Sequence, residues 1–253
     1  MDLSEVTQNP HRHPWEMSRT DFLLKVLDGK VNLSRDSSLL DIGAGDLYFS
    51  IKAHGQTWIN IDAVDNAFDE EESRHEGIRK VKHLDQVLGK KYDVICAMDV
   101  LEHIENDQVF LNVLLGMLKP GGVLLLTVPA FQFLFSLHDL HLKHFRRYHR
   151  GHVAYLIDDP KRVTILESFY FFHSLLYVRI LEKLGQFFFN LVPQKKNSKS
   201  IHQSVSNWKF SERHPITRSL GIVLSIDATI CRALAKMGFR LPGLSLCMVI
   251  QKN

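Results

Sequence analysis

Residues able to do acid–base chemistry crowd one stretch of this 253-residue chain: Ser136, His138, Asp139, His141, His144, Arg146, Arg147, Tyr148, His149 and His152. Neutral imidazole titrates near working pH, so His138 or His144 could serve as general base with Asp139 orienting the ring. Arg146 and Arg147 carry the planar forks that clamp a phosphate or carboxylate, and Tyr148 beside them would add a substrate contact. The histidines at 138, 141 and 144 could also ligate a metal, but no cysteine or glutamate completes a set in the segment, and no metal is expected. A solvated basic helix held by Phe145 and Tyr148 is the plainer alternative.

A second set reads as a cofactor pocket. The apolar run Ser38-Leu39-Leu40 passes into Asp41 and the turn Ile42-Gly43-Ala44-Gly45-Asp46. Such a turn lets backbone approach a ligand and exposes the free N–H groups of the helix that follows. A further apolar run, Thr57-Trp58-Ile59-Asn60-Ile61, ends in Asp62, an acid placed to accept from ribose hydroxyls. The pair points to an adenosine-containing cofactor. Tyr48 stands where the dinucleotide fingerprint needs its third glycine, and no phosphate-loop G-x-x-x-x-G-K-[ST] is present. A nicotinamide oxidoreductase is thereby disfavoured, though it stays as an alternative.

Downstream, Tyr92-Asp93-Val94-Ile95-Cys96-Ala97-Met98 runs into Asp99-Val100-Leu101-Glu102-His103. Then Leu118-Lys119-Pro120-Gly121-Gly122 leads into an apolar strand closing at Pro129. In this order the segments resemble the class I S-adenosylmethionine-dependent methyltransferases, in their type-11-like branch. The resemblance implies that Asp41, Gly43, Ala44 and Gly45 cradle the methionine end and ribose, and that Asp62 takes the ribose hydroxyls. It implies that Asp85 faces the adenine amino group, that Met98 and Asp99 line the methionyl side, and that His103 braces its loop. Leu47 departs from the pattern, standing where many relatives carry another glycine. The runs Phe135–Asp139 and His144–Tyr148, the opening His13-Pro14-Trp15 and the closing Pro242-Gly243-Leu244-Ser245 resemble one subset of these enzymes, so the likeness covers nearly the whole chain. Trp15, with no evident place in a sheet core, joins Arg146, Arg147 and Tyr148 as a substrate contact.

These residues need elements to position them. Strands are expected near 38–42, 57–61, 79–83, 92–98, 122–128, 162–166 and 244–250, alternating with helices through residue 129. That is a doubly wound α/β fold, and the resemblance implies seven mostly parallel strands with the last antiparallel and inserted beside the fifth. One domain over 1–253 is expected: a helical N-terminal segment (1–37), a cofactor-binding core (38–168), a helical insertion (169–240) and the final strand (241–253). Within the insertion, the aromatic-rich 168–192 reads as a helix packed on the core. A lipid-facing cap, with Lys195, Lys196 and Lys199 meeting anionic headgroups, is the alternative.

Composition narrows the rest. A net charge of +3 gives no bulk reason to bind nucleic acid. Cys96, Cys231 and Cys247 are too far apart for a thiolate site or a disulfide framework. The first residues lack a secretory pattern, so a cytoplasmic protein is expected, with peripheral membrane contact through 168–200 as an option. The function expected is methylation, by preference on oxygen, of a small or lipid-linked acceptor. The rival from another class is a non-catalytic adenosine-cofactor-binding module acting as a regulatory or assembly partner.

Overall fold

A computed structural model describes residues 11–30, 37–56, 60–69, 73–191 and 210–253, with the backbone alone for 186–191. Helix α1 (Pro14–Leu27) starts where proline stands in the first turn and the His13 side chain accepts from the Trp15 N–H at 3.2 Å. Then follow β1 (Ser38–Ile42), α2 (Tyr48–His54), β2 (Asn60–Val64), β3 (Ser73–His75), β4 (Ile78–Val81) and β5 (Tyr92–Met98). Next come α3 (Asp107–Met117), β6 (Leu118–Pro129), α4 (Leu137–His141), α5 (Arg150–Tyr155) and β7 (Val163–Phe171). The chain closes with α6 (His173–Leu191), α7 (Pro215–Lys236) and β8 (Ser245–Lys252).

The strands form one sheet in the order β3-β4-β2-β1-β5-β6-β8-β7. Pairings from β4 through β6 are parallel, whereas β8 runs antiparallel between β6 and β7, the place expected for the last strand. Leu39, Leu40, Val94, Ile95, Leu124 and Leu125 are all buried, because helices cover both faces of the central parallel strands. On one face α1 and α7 bring Phe22, Leu23, Leu224 and Ala228 against Phe169 and Phe171; on the other, Leu111, Leu114, Tyr148 and Val153 fill the layer.

Three expectations change. The sheet has eight strands, not seven, because exposed β3 folds back antiparallel on β4 at the edge. Strand β7 runs on through Phe171, so 168–171 is not the start of a helix: Phe169 and Phe171 alternate into the core at the strand period of two, which a run of aromatics conceals. The second strand ends at Val64, three residues beyond the expected end, with Leu40 opposite Asp62 and Ile42 opposite Val64. Thr57, Trp58, Ile59, Lys195, Lys196 and Lys199 lie outside the described residues.

An ion cluster locks α1, β7 and α7 together. Glu167 on β7, 8 % exposed, accepts from Arg232 at 2.7 and 2.9 Å and pairs with Lys30 at 2.5 Å. Arg232 also reaches the carbonyls of Lys25 and Val26 at the end of α1. Burial alone would raise the Glu167 pKa, but the Arg232 and Lys30 cations override it and hold the carboxyl at about 2, below its ordinary 4.5. A depressed folded-state pKa stabilises above the unfolded value and loses that contribution as pH falls through the folded one. Glu167→Gln should therefore cost on the order of 2–3 kcal/mol at neutral pH, and the gap from wild type should close on acidification toward pH 2. Urea unfolding across that range checks it.

Candidate active site

The glycine turn after β1 is tied to the end of β2. The N–H groups of Gly43 and Ala44 donate to the Val64 carbonyl at 2.9 and 3.2 Å, and that of Gly45 donates to Asp65 Oδ2 at 2.8 Å. Gly43 and Gly45 have φ of +68° and +55°, and Leu47 also takes the left-handed conformation at +68°. A side chain at Gly43 would stand 2.6 Å from Val100 Cγ2, whereas one at Gly45 would meet no atom within 4 Å. The turn is thus closed behind and open in front. Beneath it Asp41 is fully buried, with Oδ2 accepting from Ser50 at 2.6 Å and Oδ1 without a hydrogen-bond partner among the described residues, and burial pushes its carboxyl to about 7. An orphaned carboxylate oxygen under an open glycine cradle suits a ligand that brings its own donors.

Asp62 is not the acid at the strand end. It lies two residues inside β2, where its carboxylate accepts from Tyr92 at 2.6 Å and Lys90 at 2.8 Å and meets Arg79 at 3.4 Å. Burial alone would raise its pKa, but Lys90 and Tyr92 hold it below the usual carboxylate range. The strand-end position belongs to Asp65, which also accepts from Ala67 N. Asp85 sits exposed in the short helical turn Leu84–Val87 after β4. Met98 closes β5, and Asp99 beyond it has φ of +55°, accepts from Thr127 at 3.1 Å and is ion-paired to Arg19. Burial opposes the Asp99 charge, but Arg19 holds its pKa below the ordinary value.

Helix α1 lies against this turn through residues that sequence reasoning overlooked. Arg12 pairs with Glu16 and Asp46 and stacks 3.9 Å over the Tyr48 ring, while Arg19 lies 5.0 Å from the Trp15 ring. Trp15 itself packs partly buried against the core.

The loop after β6 is stitched to the same edge of the sheet. Tyr148 N donates to Pro129 O, Phe131 N to Tyr148 O, and Phe145 N to Glu102 O at 2.8 Å. Asp139, fully buried, closes a capping box with Ser136 and accepts from Arg147 Nε at 2.7 Å, Arg147 Nη2 at 3.1 Å and His144 Nδ1 at 3.1 Å. Burial alone would raise its pKa, but His144 and Arg147 drive it far below the usual range. Of the two candidate bases, Asp139 orients His144; His138 is half-buried, its pKa lowered by burial and then by Arg179. His144 Nε2 faces Glu102, 4.0 Å from Oε1, and its ring meets that of His103 edge-on at 4.7 Å.

The residues expected to clamp substrate are otherwise engaged. Arg147 spends its fork on Asp139 and the Ala130 carbonyl. Arg146 pairs with Asp107 at 2.5 Å and donates to the Glu105 carbonyl. Tyr148, fully buried, donates to Asp107 and Leu101 O. These three hold the loop in place through partners within the protein, and for Arg147, the buried charge among them, such a partner is required.

Comparison with known proteins now settles the class. A family profile described as "Methyltransferase domain" matches residues 15–159, from α1 to just beyond α5. The chain belongs to this methyltransferase family. The match is to a methyltransferase family and speaks against the nicotinamide reading. "Ubiquinone biosynthesis O-methyltransferase" of Rickettsia felis is 26 % identical over 118 residues, 43 % of this chain and 48 % of that protein. The Rickettsia bellii (strain OSU 85-389) protein of the same name is 26 % identical over 117 residues, 43 % of this chain and 49 % of its own. The chain thus aligns with about half the length of these curated relatives. Among solved structures, the cyclopropane synthase MmaA2 from Mycobacterium tuberculosis superposes with a TM-score of 0.52 at 17 % identity, covering 94 % of this chain and 84 % of that one. A SAM-dependent methyltransferase from Archaeoglobus fulgidus gives 0.50 at 14 % identity, covering 94 % of each chain. Both share the fold.

The two glycines separate in a simple test. Gly43→Ala adds a clash with Val100 to the left-handed penalty, whereas Gly45→Ala carries the penalty alone, about 1–2 kcal/mol. Denaturant unfolding should show the Gly43 variant less stable by a further ~1 kcal/mol or more. Equal losses would mean that Val100 does not close the turn.

Proposed function

We propose that this methyltransferase binds S-adenosylmethionine in the glycine turn and methylates a hydroxyl oxygen of a small or lipid-linked acceptor held between the loops after β5 and β6. The observation carrying this reading is that the open Gly45 cradle, Asp65, Asp99 and the Asp139–His144 pair all follow the carboxyl ends of parallel strands, where open α/β sheets bind ligands. The O-methyltransferase relatives support the choice of oxygen. An apolar or amphipathic acceptor fits the exposed Phe133, Leu137 and Leu140 beside the pair. Among the described residues no helix is long and apolar enough to cross a membrane, so a lipid-linked acceptor would be met at a surface.

When bound, S-adenosylmethionine supplies an electrophilic methyl group on a sulfonium sulfur. The chain's part is to bring the acceptor oxygen in line with it and to deal with the hydroxyl proton. Asp65 takes the ribose hydroxyls, and Asp41 with its free oxygen faces the methionine end. Asp139 keeps the proton of His144 on Nδ1, so that Nε2 carries the lone pair toward the acceptor side.

Two tests follow. Asp65→Ala removes both the Gly45 bond and the ribose acceptor, and calorimetry should show S-adenosylmethionine binding weakened about tenfold or more, as for a lost charge-assisted bond. Asp62→Asn should lower thermal stability and leave that affinity within about twofold; the reverse pattern would restore Asp62 as the ribose acid. In steady-state kinetics with an identified acceptor, His144→Gln should lower kcat about 100-fold or more without changing donor affinity. Asp139→Asn should do the same less severely, and unchanged kcat in both would remove the pair from the chemistry.

A further inference from the structure

A fully buried carboxylate without a hydrogen bond is unusual, and neither oxygen of Glu102 has a hydrogen-bond partner among the described residues. Across the gap stand two imidazoles, and one ligand atom each of Glu102, His103 and His144 lies within 4.8 Å of the others.

We propose that Glu102, His103 and His144 bind one divalent transition-metal ion of the zinc type. Ligand atoms of a tetrahedral zinc ion stand roughly 3.3 Å apart, so side-chain shifts of about an ångström close the set. His144 already has the outer partner of a metal-binding histidine: its Nδ1 is held by Asp139 Oδ1 at 3.1 Å, which fixes the ring with Nε2 toward Glu102. Asp139 is itself balanced by Arg147, so the orientation survives without the ion. Two imidazoles and one carboxylate favour zinc over magnesium, which prefers an all-oxygen shell. The set escapes a local search because Glu102 and His103 follow β5 whereas His144 arrives on the loop after β6, joined by the Phe145 N–H to the Glu102 carbonyl at 2.8 Å.

Three protein ligands leave a coordination position free, the arrangement of catalytic rather than structural ions. An acceptor hydroxyl occupying it would release its proton to solvent more readily. The oxygen then bonds the methyl carbon, and the electron pair of the breaking carbon–sulfur bond passes to sulfur. This rests on the acceptor-site reading above and specifies the part of His144 within it: Nε2 acts as a ligand.

The test uses the whole protein, stripped with a chelator and titrated with Co²⁺ as a visible-absorption probe, without methyl donor or acceptor. One Co²⁺ per chain should bind with the intense absorption of a low-coordinate site, be displaced by Zn²⁺ and resist Mg²⁺. Glu102→Gln, an isosteric change at a side chain that accepts no hydrogen bond among the described residues, and His144→Gln should each weaken binding about tenfold or more, and Asp139→Asn about 10- to 100-fold. Exposed His141→Gln serves as control, and circular dichroism confirms that each variant is folded. Zn²⁺ should also raise the melting temperature of the wild type and not of the Glu102→Gln protein. Absence of specific Co²⁺ binding, or binding undiminished in both ligand variants, overturns the site. Methyl transfer that survives chelation unchanged would likewise remove the ion and leave the methyltransferase reading standing. Specific ion binding in a protein that transfers no methyl group would instead uphold the site and sink the acceptor reading.

Discussion

The loop after β6, where we propose that the acceptor is held, depends on one buried anion. Asp139 is fully excluded from solvent, and its charge is tolerable only because Arg147 meets it with two bonds while Ser136 and His144 take up the rest. Removing one partner from such a group costs about 3–5 kcal/mol, so the four residues must be placed together or not at all. Their joint placement turns the loop after β6 back over the sheet edge and delivers His144 to Glu102. Helix α6 is drawn to the same point: Arg179 donates to Ser136 at 2.7 Å, and Lys183 reaches the Phe133 and Phe135 carbonyls. The segment between the last strands is therefore part of how the site is assembled.

The glycine turn, the proposed donor side, follows a different logic, with strained backbone in place of buried charge. Gly43, Gly45, Leu47 and Asp99 all hold positive φ within the two loops that meet at the turn. For leucine and aspartate that conformation costs on the order of 1 kcal/mol each. Leu47 offsets the cost by burying its side chain in the core; Asp99 does so through Thr127 and the ion pair with Arg19. Arginines on and just ahead of α1 thus neutralise acids on both sides of the turn, Arg12 at Asp46 and Arg19 at Asp99. The helix ahead of the first strand belongs to the site as much as the sheet does.

Much of this was legible in the sequence, and what was missed has physical reasons. Strand runs and the glycine turn declare themselves because parallel strands are apolar throughout and tight turns need glycine. Asp62 was misplaced because the Trp58–Val64 run is apolar on both sides of it, and nothing local marks which acid ends the strand; the pairing of Ile42 with Val64 does. Arg146, Arg147 and Tyr148 read as substrate contacts because their partners, Asp107 and Asp139, are named only by the fold. Glu102 and His144, adjacent in space, lie on separate loops, so no spacing rule joins them. The Asp139–His144 pair was legible, five residues apart in one short segment.

Asp139 aims His144, and the ring's tautomer reports that directly. Long-range ¹H–¹⁵N NMR of the neutral imidazoles, with His144 assigned by the loss of its signals in His144→Gln, distinguishes the two nitrogens. At mildly alkaline pH the proton should reside on Nδ1 in the wild type, and that preference should weaken in Asp139→Asn. A wild-type His144 carrying its proton on Nε2 would mean that the lone pair faces Asp139's side and not Glu102, and the site as described would be wrong.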